Sequence, residues 1–528
     1  MRLLILPVLV PFVTSLVLAL LRGRYRLEKA LAFVSSLGLA VFTWWLLVHV
    51  DRQGTQVMHI GGWQAPWGIA FVADRLACIM LCLSMTVGTV VVAYTLDSVE
   101  RRHQDHFFYP ILNIVLLGVN WSFLTGDLFN LFVAYEVMLI GSYGAMSVGA
   151  TKPQLRETMK YLAINSIGST LFVVGCGLVY ATVGTLNMAD LAQRTAALEG
   201  DAAALVTAVS MFLLTVFALK AAAFPLFMWL PDSYPVIPTG LIGYFGGLLT
   251  KVGVYSLLRM FLMFRQPGSE LASDVLLFLS GFTMFLGVVG AMCQWEIRRL
   301  LSWHIISQVG YMIMGIGLAR NATIATAAIA GTILHVVHNM IVKSCLFLIG
   351  GIGERITGTQ QLKKMGGVID LAPGVAGLFL VAAFSLAGIP PLSGFVSKLV
   401  LVRAGLAGGN WVVVAISIVT SFLTLYSMAK IWTYGFWRDP PCEAARAPYR
   451  ALVGPAAVLV LVSVAYGLAA GPVVRFAEDA AAELTDPKGY IVAVLGSGPG
   501  GGAPDGTVEE ESLPVQPIVA ELGLEAIP

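Results

Sequence analysis

The stretch Val216-Phe-Ala-Leu-Lys-Ala-Ala-Ala-Phe-Pro-Leu-Phe-Met-Trp-Leu-Pro231 sets one lysine and two prolines inside an otherwise apolar run. Residues 204–232 are long enough to cross ~30 Å of hydrocarbon as helix. Within that length Pro225 and Pro231 remove backbone donors, and Lys220 brings in a cation. Irregular backbone at membrane depth is tolerated only where protein or a wet cavity satisfies it. An ionisable group at the centre of a span costs about 2.5–3.5 kcal/mol on insertion scales, so by default it is functional. The stretch therefore predicts a membrane helix broken beside a working lysine.

The rest of the chain agrees. Of 528 residues, 58% are hydrophobic and 12% charged, with a mean hydropathy of +0.83. That is about half the charge of a soluble domain, too little for a polar skin, so the lipid bilayer is the natural solvent. A net charge of +2 argues against nucleic acid as a partner. Apolar runs recur near 2–21, 28–50, 70–96, 107–125, 127–149, 160–184, 204–232, 238–263, 273–293, 299–318, 323–351, 371–406, 410–437 and 451–474. The expected fold is an all-α polytopic membrane protein of about fourteen spans. No cleavable signal peptide is expected, because the first apolar run leads directly into further spans.

The twelfth run is also interrupted, at Pro390 and Pro391 in Ser385-Leu-Ala-Gly-Ile-Pro-Pro-Leu-Ser-Gly394. Two breaks five spans apart predict two five-helix units of opposite membrane orientation, since five is odd. Interrupted helices at matching positions of inverted halves are the usual pointer to a transport site. The expected organisation is helices 1–3 in residues 1–97, the first repeat in 98–263, the inverted repeat in 264–437, helix 14 in 438–474 and a polar tail in 475–528. That tail turns acidic, then Gly-rich, and reads as flexible or as a partner-docking extension.

Basic residues give the orientation. Alternate loops hold Arg22, Arg24, Arg26, Lys29, Arg101, Arg102, Lys152, Arg156, Lys160, Arg298, Arg299, Arg355, Lys363, Lys364, Arg438, Arg446 and Arg450. The other set holds only Arg52, Arg194, Arg259, Arg265, Arg320 and Arg403. The first set should face the cytoplasm, leaving both termini outside.

Six ionisable residues stand where charge is expensive: Glu136 in the fifth span, Lys220 before the first break, Lys251 in the eighth, His335 and His338 in the eleventh, and Lys398 after the second break. Glu136 and Lys220 are the expected acid–base pair. A desolvated lysine holds its proton less firmly and a nearby carboxylate restores the hold, so moving the carboxylate switches the lysine. Neutral histidine can relay between lysines. Lys251 and Lys398 also admit a reading as snorkelling side chains near helix ends. The two histidines admit readings as core groups or haem ligands, with His304 the other candidate at depth. Lys343 is a possible accessory that could face a cytoplasmic boundary. Asp127 and Asp232 fall at span ends, where cap and ion-uptake roles are both open.

No phosphate-binding glycine loop is present, so ATP-driven pumping is not expected, and neither a flavin, a nicotinamide nor an iron–sulfur signature appears. The six cysteines are scattered and complete no metal site or disulfide framework. No cofactor and no metal are expected. The driving energy must come from an ion gradient or a partner.

Leu219-Lys-Ala-Ala-Ala-Phe-Pro-Leu-Phe-Met-Trp-Leu-Pro-Asp-Ser-Tyr-Pro235 and Gly247-Leu-Leu-Thr-Lys-Val-Gly-Val-Tyr255 resemble the proton-translocating antiporter-like family, which includes the large antiporter-like subunits of respiratory complex I. Ser302-Trp-His-Ile-Ile-Ser-Gln-Val-Gly-Tyr311, His335-Val-Val-His-Asn-Met-Ile-Val-Lys-Ser-Cys-Leu-Phe-Leu348 and Gly388-Ile-Pro-Pro-Leu-Ser-Gly-Phe-Val-Ser-Lys398 are similar to its motifs. The likeness runs over roughly residues 70–435. Phe227 and Lys398 are most similar to the D-type branch of the Mrp multisubunit sodium/proton antiporters. The resemblance implies that Glu136 is the family's acidic residue and Lys220 its paired lysine. It also implies that Lys251, His335 and His338 form a connecting relay, with Lys398 the terminal lysine. By the same resemblance, the chain moves protons, with sodium as the first candidate counter-ion, and works with other membrane subunits. The alternative is a proton-pumping subunit of a redox-driven complex, of the complex I or membrane-bound hydrogenase type. On either reading the chain is a transporter subunit rather than an enzyme in itself.

Overall fold

The computed structural model describes residues 1–264, 270–320, 322–439 and 448–496. Arg265, Cys442, Arg446 and residues 497–528 of the expected tail lie outside the described residues. Among those described, twelve helices are long and apolar enough to cross a membrane, and the shorter apolar helices Phe108–Leu124 and Pro373–Ala387 make up the expected set. In chain order they are α1 (Leu6–Leu20), α2 (Tyr25–Gln53), α3 (Arg75–Ser98), α4 (Phe108–Leu124), α5 (Leu128–Ser147), α6 (Lys152–Val183) and α7 (Gly200–Ala221). There follow α8 (Thr239–Met263), α9 (Leu271–Cys293), α10 (Ile297–Leu318) and α11 (Ala322–Thr357). The limbs α12a (Pro373–Ala387) and α12b (Ser393–Ala407), then α13 (Trp411–Trp437) and α14 (Arg450–Leu468), complete the bundle. Two short antiparallel strands, β1 (Gln56–His59) and β2 (Ala70–Ala73), join α2 to α3.

Burial grades across the bundle. The spanning windows of α8, α10 and α11 are 94–100% buried, those of α1 and α2 only 33%. Phe12, Leu16, Val34 and Val41 stand exposed on the outer pair, as lipid-facing side chains should. The most deeply buried spans are therefore α8, α10 and α11, with α3 next at 83%.

The two five-helix units repeat one local design. In the first, Asp127 starts α5 by accepting from Asn130 N at 2.7 Å. Its strand-like neighbours pair with the start of a short helix, Leu128 N to Leu186 O and Met188 N to Gly126 O, each 2.9 Å. In the second, Glu296 starts α10, and Ile297 N reaches Gln360 O at 3.0 Å while Leu362 N reaches Trp295 O at 2.8 Å. The helix pairs cross on glycine in both: a Cβ at Gly118 would lie 2.4 Å from Met138 N, and one at Gly287 2.4 Å from Ser307 N. α8 and α13, the last helix of each unit, both carry a π-helical stretch, Phe245–Leu249 and Trp432–Trp437. The units are inverted. Glu296, at the start of α10, lines one cavity with Thr151, which follows the far end of α5.

The two breaks are closed differently. α7 ends at Ala221, and Ala222 takes a left-handed φ of +60° with Ala223 N returning to Ala218 O at 2.9 Å. The Leu219 carbonyl, which takes Ala222 N at 3.1 Å, also accepts the Trp229 indole N–H at 3.1 Å, and Phe224 N donates to Thr283 Oγ1 at 3.0 Å. α12a ends on Gly388 at φ +92°. Its last carbonyls, Leu386 and Ala387, accept the Lys398 ammonium at 3.0 Å each. A cation on a helix C-terminus is electrostatically favoured.

Gly253 of α8 packs on the end of α7, where a Cβ would stand 2.5 Å from Ala221 N. Backbone cannot yield as a side chain does. Gly253→Val is expected to lower stability by roughly 1–3 kcal/mol, the usual range for overpacking. Thermal unfolding in detergent checks it, and an unchanged midpoint would contradict the contact.

Two expectations need correction. The chain after Val474 does not leave the bundle as a polar tail: α15 (Ala470–Thr485) and α16 (Lys488–Leu495) fold back onto it. Ala477, Ala480, Ala481 and Leu484 are buried, so small residues at helical spacing replace hydropathy as the packing signal. Arg259 is no loop cation either. It is 3% exposed within α8 and bonds Asp74 twice, at 2.5 and 3.0 Å.

A buried lysine–histidine axis

Glu136 on α5 is half-buried and accepts a short hydrogen bond from the Ser169 hydroxyl of α6. Lys220, in the last turn of α7, donates to Ser169 Oγ and to Asn165 O, both at 3.1 Å. The expected pair is therefore joined through a serine, with no direct ion pair within 4.0 Å. Gly168 makes this possible, because a Cβ there would lie 3.5 Å from Lys220 Nζ and 3.4 Å from its Cε. The Tyr135 ring lies 5.9 Å from the ammonium.

Lys251 is fully buried in α8 and donates to Gly246 O at 2.7 Å. That carbonyl belongs to the π-helical turn, where the regular ladder is disturbed. Lys343, against the reading that it could face a boundary, is fully buried in α11 and points to Leu301 O of α10 at 3.5 Å. His335 and His338 are fully buried on the same helix, their rings 5.7 Å apart. His335 Nδ1 meets Ser397 Oγ at 3.0 Å and His338 Nδ1 meets Ser393 Oγ at 2.8 Å, both serines of α12b. Tyr311 links the histidines to the end of the row: its ring lies 5.1 Å from His335 and 5.0 Å from Lys398 Nζ.

Around these groups lie buried side-chain atoms with no protein partner: Thr250 Oγ1, His304 Nδ1, Ser307 Oγ, both amide atoms of Gln308, His335 Nε2, His338 Nε2 and Asn339 Oδ1. Buried polar groups of native proteins are nearly always bonded to protein or ordered water. These unpartnered atoms all lie on α8, α10 and α11, the three most deeply buried spans. Among the described residues, Lys220, Lys251, Lys343 and Lys398 share this row with one carboxylate, Glu136.

Asp232 stands apart. It pairs with Arg299 at the rim of a cavity of about 510 Å³, together with Arg156, Glu157, Lys160 and Glu296. Asp127 caps α5 at the opposite end, where burial pushes its carboxyl above the ordinary value against the lowering effect of the backbone donors Asn130 and Phe129. Pro225, Pro231, Pro390 and Pro391 all lie in the two interruptions. Among the described residues no three His, Cys, Asp or Glu side chains are grouped as metal ligands. The sequence alone did not point to Ser169, Tyr311, Gln308, Ser393 or Ser397. Serine and tyrosine are common in membrane helices, where they bond the preceding turn, so their type carried no signal.

Inverted broken-helix halves around a row of buried lysines and histidines define a polytopic membrane protein of the antiporter-like class. Residues 125–424 match the family described as NADH:quinone oxidoreductase/Mrp antiporter, transmembrane. The D component of the Na(+)/H(+) antiporter of Alkalihalophilus pseudofirmus is 42% identical over 496 residues, covering 94% of this chain and 99% of the relative. Its namesake in Bacillus subtilis is 36% identical over 93% and 99%. A chain in the structure of the Mrp complex from Dietzia sp. DQ12-45-1b superposes with a TM-score of 0.86 at 32% identity, over 94% of this chain and 99% of that one. This chain belongs to the NADH:quinone oxidoreductase/Mrp antiporter family.

Proposed function

We propose that the chain is the proton-carrying subunit of a multisubunit cation/proton antiporter, with sodium as the exchanged cation. The observation that carries this is the row from Glu136 through Ser169 and Lys220 to Lys251, His335, His338 and Lys398, in which Glu136 accepts from the Ser169 hydroxyl while the lysines and histidines meet only neutral oxygens. The relatives from Alkalihalophilus and Bacillus are named for sodium and protons, and the 32%-identical neighbour comes from a complex. Partner membrane subunits complete the exchanger. The membrane is a bacterial inner membrane with both termini outside.

In this mechanism protonation of Glu136 removes the negative charge near Lys220, weakens its hold on a proton and releases that proton toward Lys251. Lys343 adds a further positive site on the route. Histidines, neutral at rest, pass the proton across α11 to Lys398. Asp232 and Arg299 guard the cytoplasmic mouth.

Glu136→Gln keeps the Ser169 contact but holds the neutral form permanently. Sodium-dependent collapse of a pH gradient in everted vesicles, with the whole gene cluster expressed in an antiporter-deficient host, is expected to fall about tenfold or more. Full exchange with normal assembly would sink the assignment. No sodium response in the unaltered complex would instead favour a redox-driven partner.

A further inference from the structure

His338 ends in a closed knot of hydroxyls. Ser393 of α12b, Ser385 of α12a and Ser463 of α14 lie 2.9, 3.1 and 2.9 Å from one another, and Ser393 alone touches His338 Nδ1, at 2.8 Å. None of the three is more than 3% exposed. Among the described residues no backbone carbonyl takes any of these hydroxyls, so their hydrogens serve each other and the imidazole. Ser463 belongs to α14, a helix outside both repeats.

Counting hydrogens decides the imidazole. There are four contacts, and each serine has one hydrogen to give. If Nδ1 were bare, Ser393 would spend its hydrogen there and two hydrogens would remain for three oxygen–oxygen contacts. If Nδ1 carries the proton, it donates to Ser393, and the three hydroxyls donate head to tail around the ring. Every contact is then filled. His335 obeys the same count: Ser397 already donates to Gly394 O at 3.2 Å, so its contact with His335 Nδ1 is filled only by an Nδ1–H.

We infer that the Ser385–Ser393–Ser463 ring holds His338 as the Nδ1–H tautomer, so that Nε2 is the atom that accepts a travelling proton, with Ser463 acting as a positioning residue. Nε2 has no protein partner. Gly394 keeps space beside it, since a Cβ there would stand 3.0 Å from Nε2. His335 presents its Nε2 in the same way. On the row itself, proton uptake at His338 would leave the ring undisturbed, because the imidazolium makes the same Nδ1–H donation. The functional meaning rests on the proton-axis reading above, but the tautomer does not.

The test is nitrogen-15 spectroscopy of the histidine-labelled complex in lipid bilayers and alkaline buffer, with His338 assigned by difference against His338→Gln. The expected native signature is a protonated, pyrrole-like Nδ1 and a bare, pyridine-like Nε2. In Ser463→Ala two contacts remain and either tautomer fills both, so the Nε2–H form is expected to rise from a minor species to about half. Ser463→Thr should restore the native spectrum, and His335 should stay unchanged throughout. A bare Nδ1 in the native protein overturns the inference, as does an unaltered His338 spectrum in an assembled Ser463→Ala complex. The native spectrum decides even where that variant fails to assemble. If the tautomer is found while His338→Gln exchanges normally, the proton-axis reading falls and the ring assignment stands.

Discussion

Lys220→Met is expected to abolish sodium-driven proton exchange, with a loss on the order of a hundredfold or more, the scale of removing a positioned proton-transfer group. Methionine matches the lysine in length and apolar volume, so the packing of α7 at its break survives. What goes is the ammonium that donates to Ser169 and Asn165. The sharper comparison is Lys220→Arg. Arginine keeps the positive charge but does not deprotonate in proteins. If Lys220 served only as a fixed counter-charge to Glu136, arginine would rescue a large share of transport. If it must let its proton go, Lys220→Arg will be as silent as Lys220→Met. Exchange in everted vesicles, with assembly followed by co-purification of the partner subunits, separates the two. A fully active Lys220→Met complex would remove the proton path from this chain.

Much of this was legible in the sequence because the bilayer writes in long words. Spans of about twenty apolar residues announce themselves, and the prolines that mark a break are those beside a buried lysine, since Pro11 and Pro455 sit inside continuous helices. The rarity of charge at depth singled out Glu136, Lys220, Lys251, His335, His338 and Lys398 by type and position alone. What connects them was not legible. Ser169 stands between Glu136 and Lys220 because α5, α6 and α7 converge there, and one serine among many on α6 gives no sign of it. Lys343 read ambiguously because its distance from the helix end cannot be judged until α11 is known to run 36 residues. Arg259 was misread for the opposite reason: it lies near the end of its span, and its partner Asp74 is 185 residues away in sequence. α15 escaped because its buried alanines carry too little hydropathy to register.

That buried pair carries the largest expected effect on stability. Asp74→Asn should cost about 3–5 kcal/mol, the usual penalty for leaving one member of a buried ion pair alone. Asparagine can still cap α3, where the Asp74 side chain accepts from Ala77 N at 2.9 Å, so the loss isolates the charge. Arg259 would then keep Tyr255, which accepts at 3.0 Å, and the Tyr490 ring 5.4 Å away, but no counter-ion. Because Tyr490 belongs to α16, the docking of the C-terminal helices should loosen with it. Protease sensitivity of residues 470–496 is the local readout, and the unfolding midpoint the global one. Asp74→Asn with Arg259→Met should recover most of the loss, since a buried pair replaced by neutral groups of similar volume is often close to neutral in stability. Recovery in the double variant identifies the penalty as an unpaired charge. If the double variant is as unstable as the single one, the pair holds α8 against α3 by shape and hydrogen bonding that asparagine and methionine cannot reproduce.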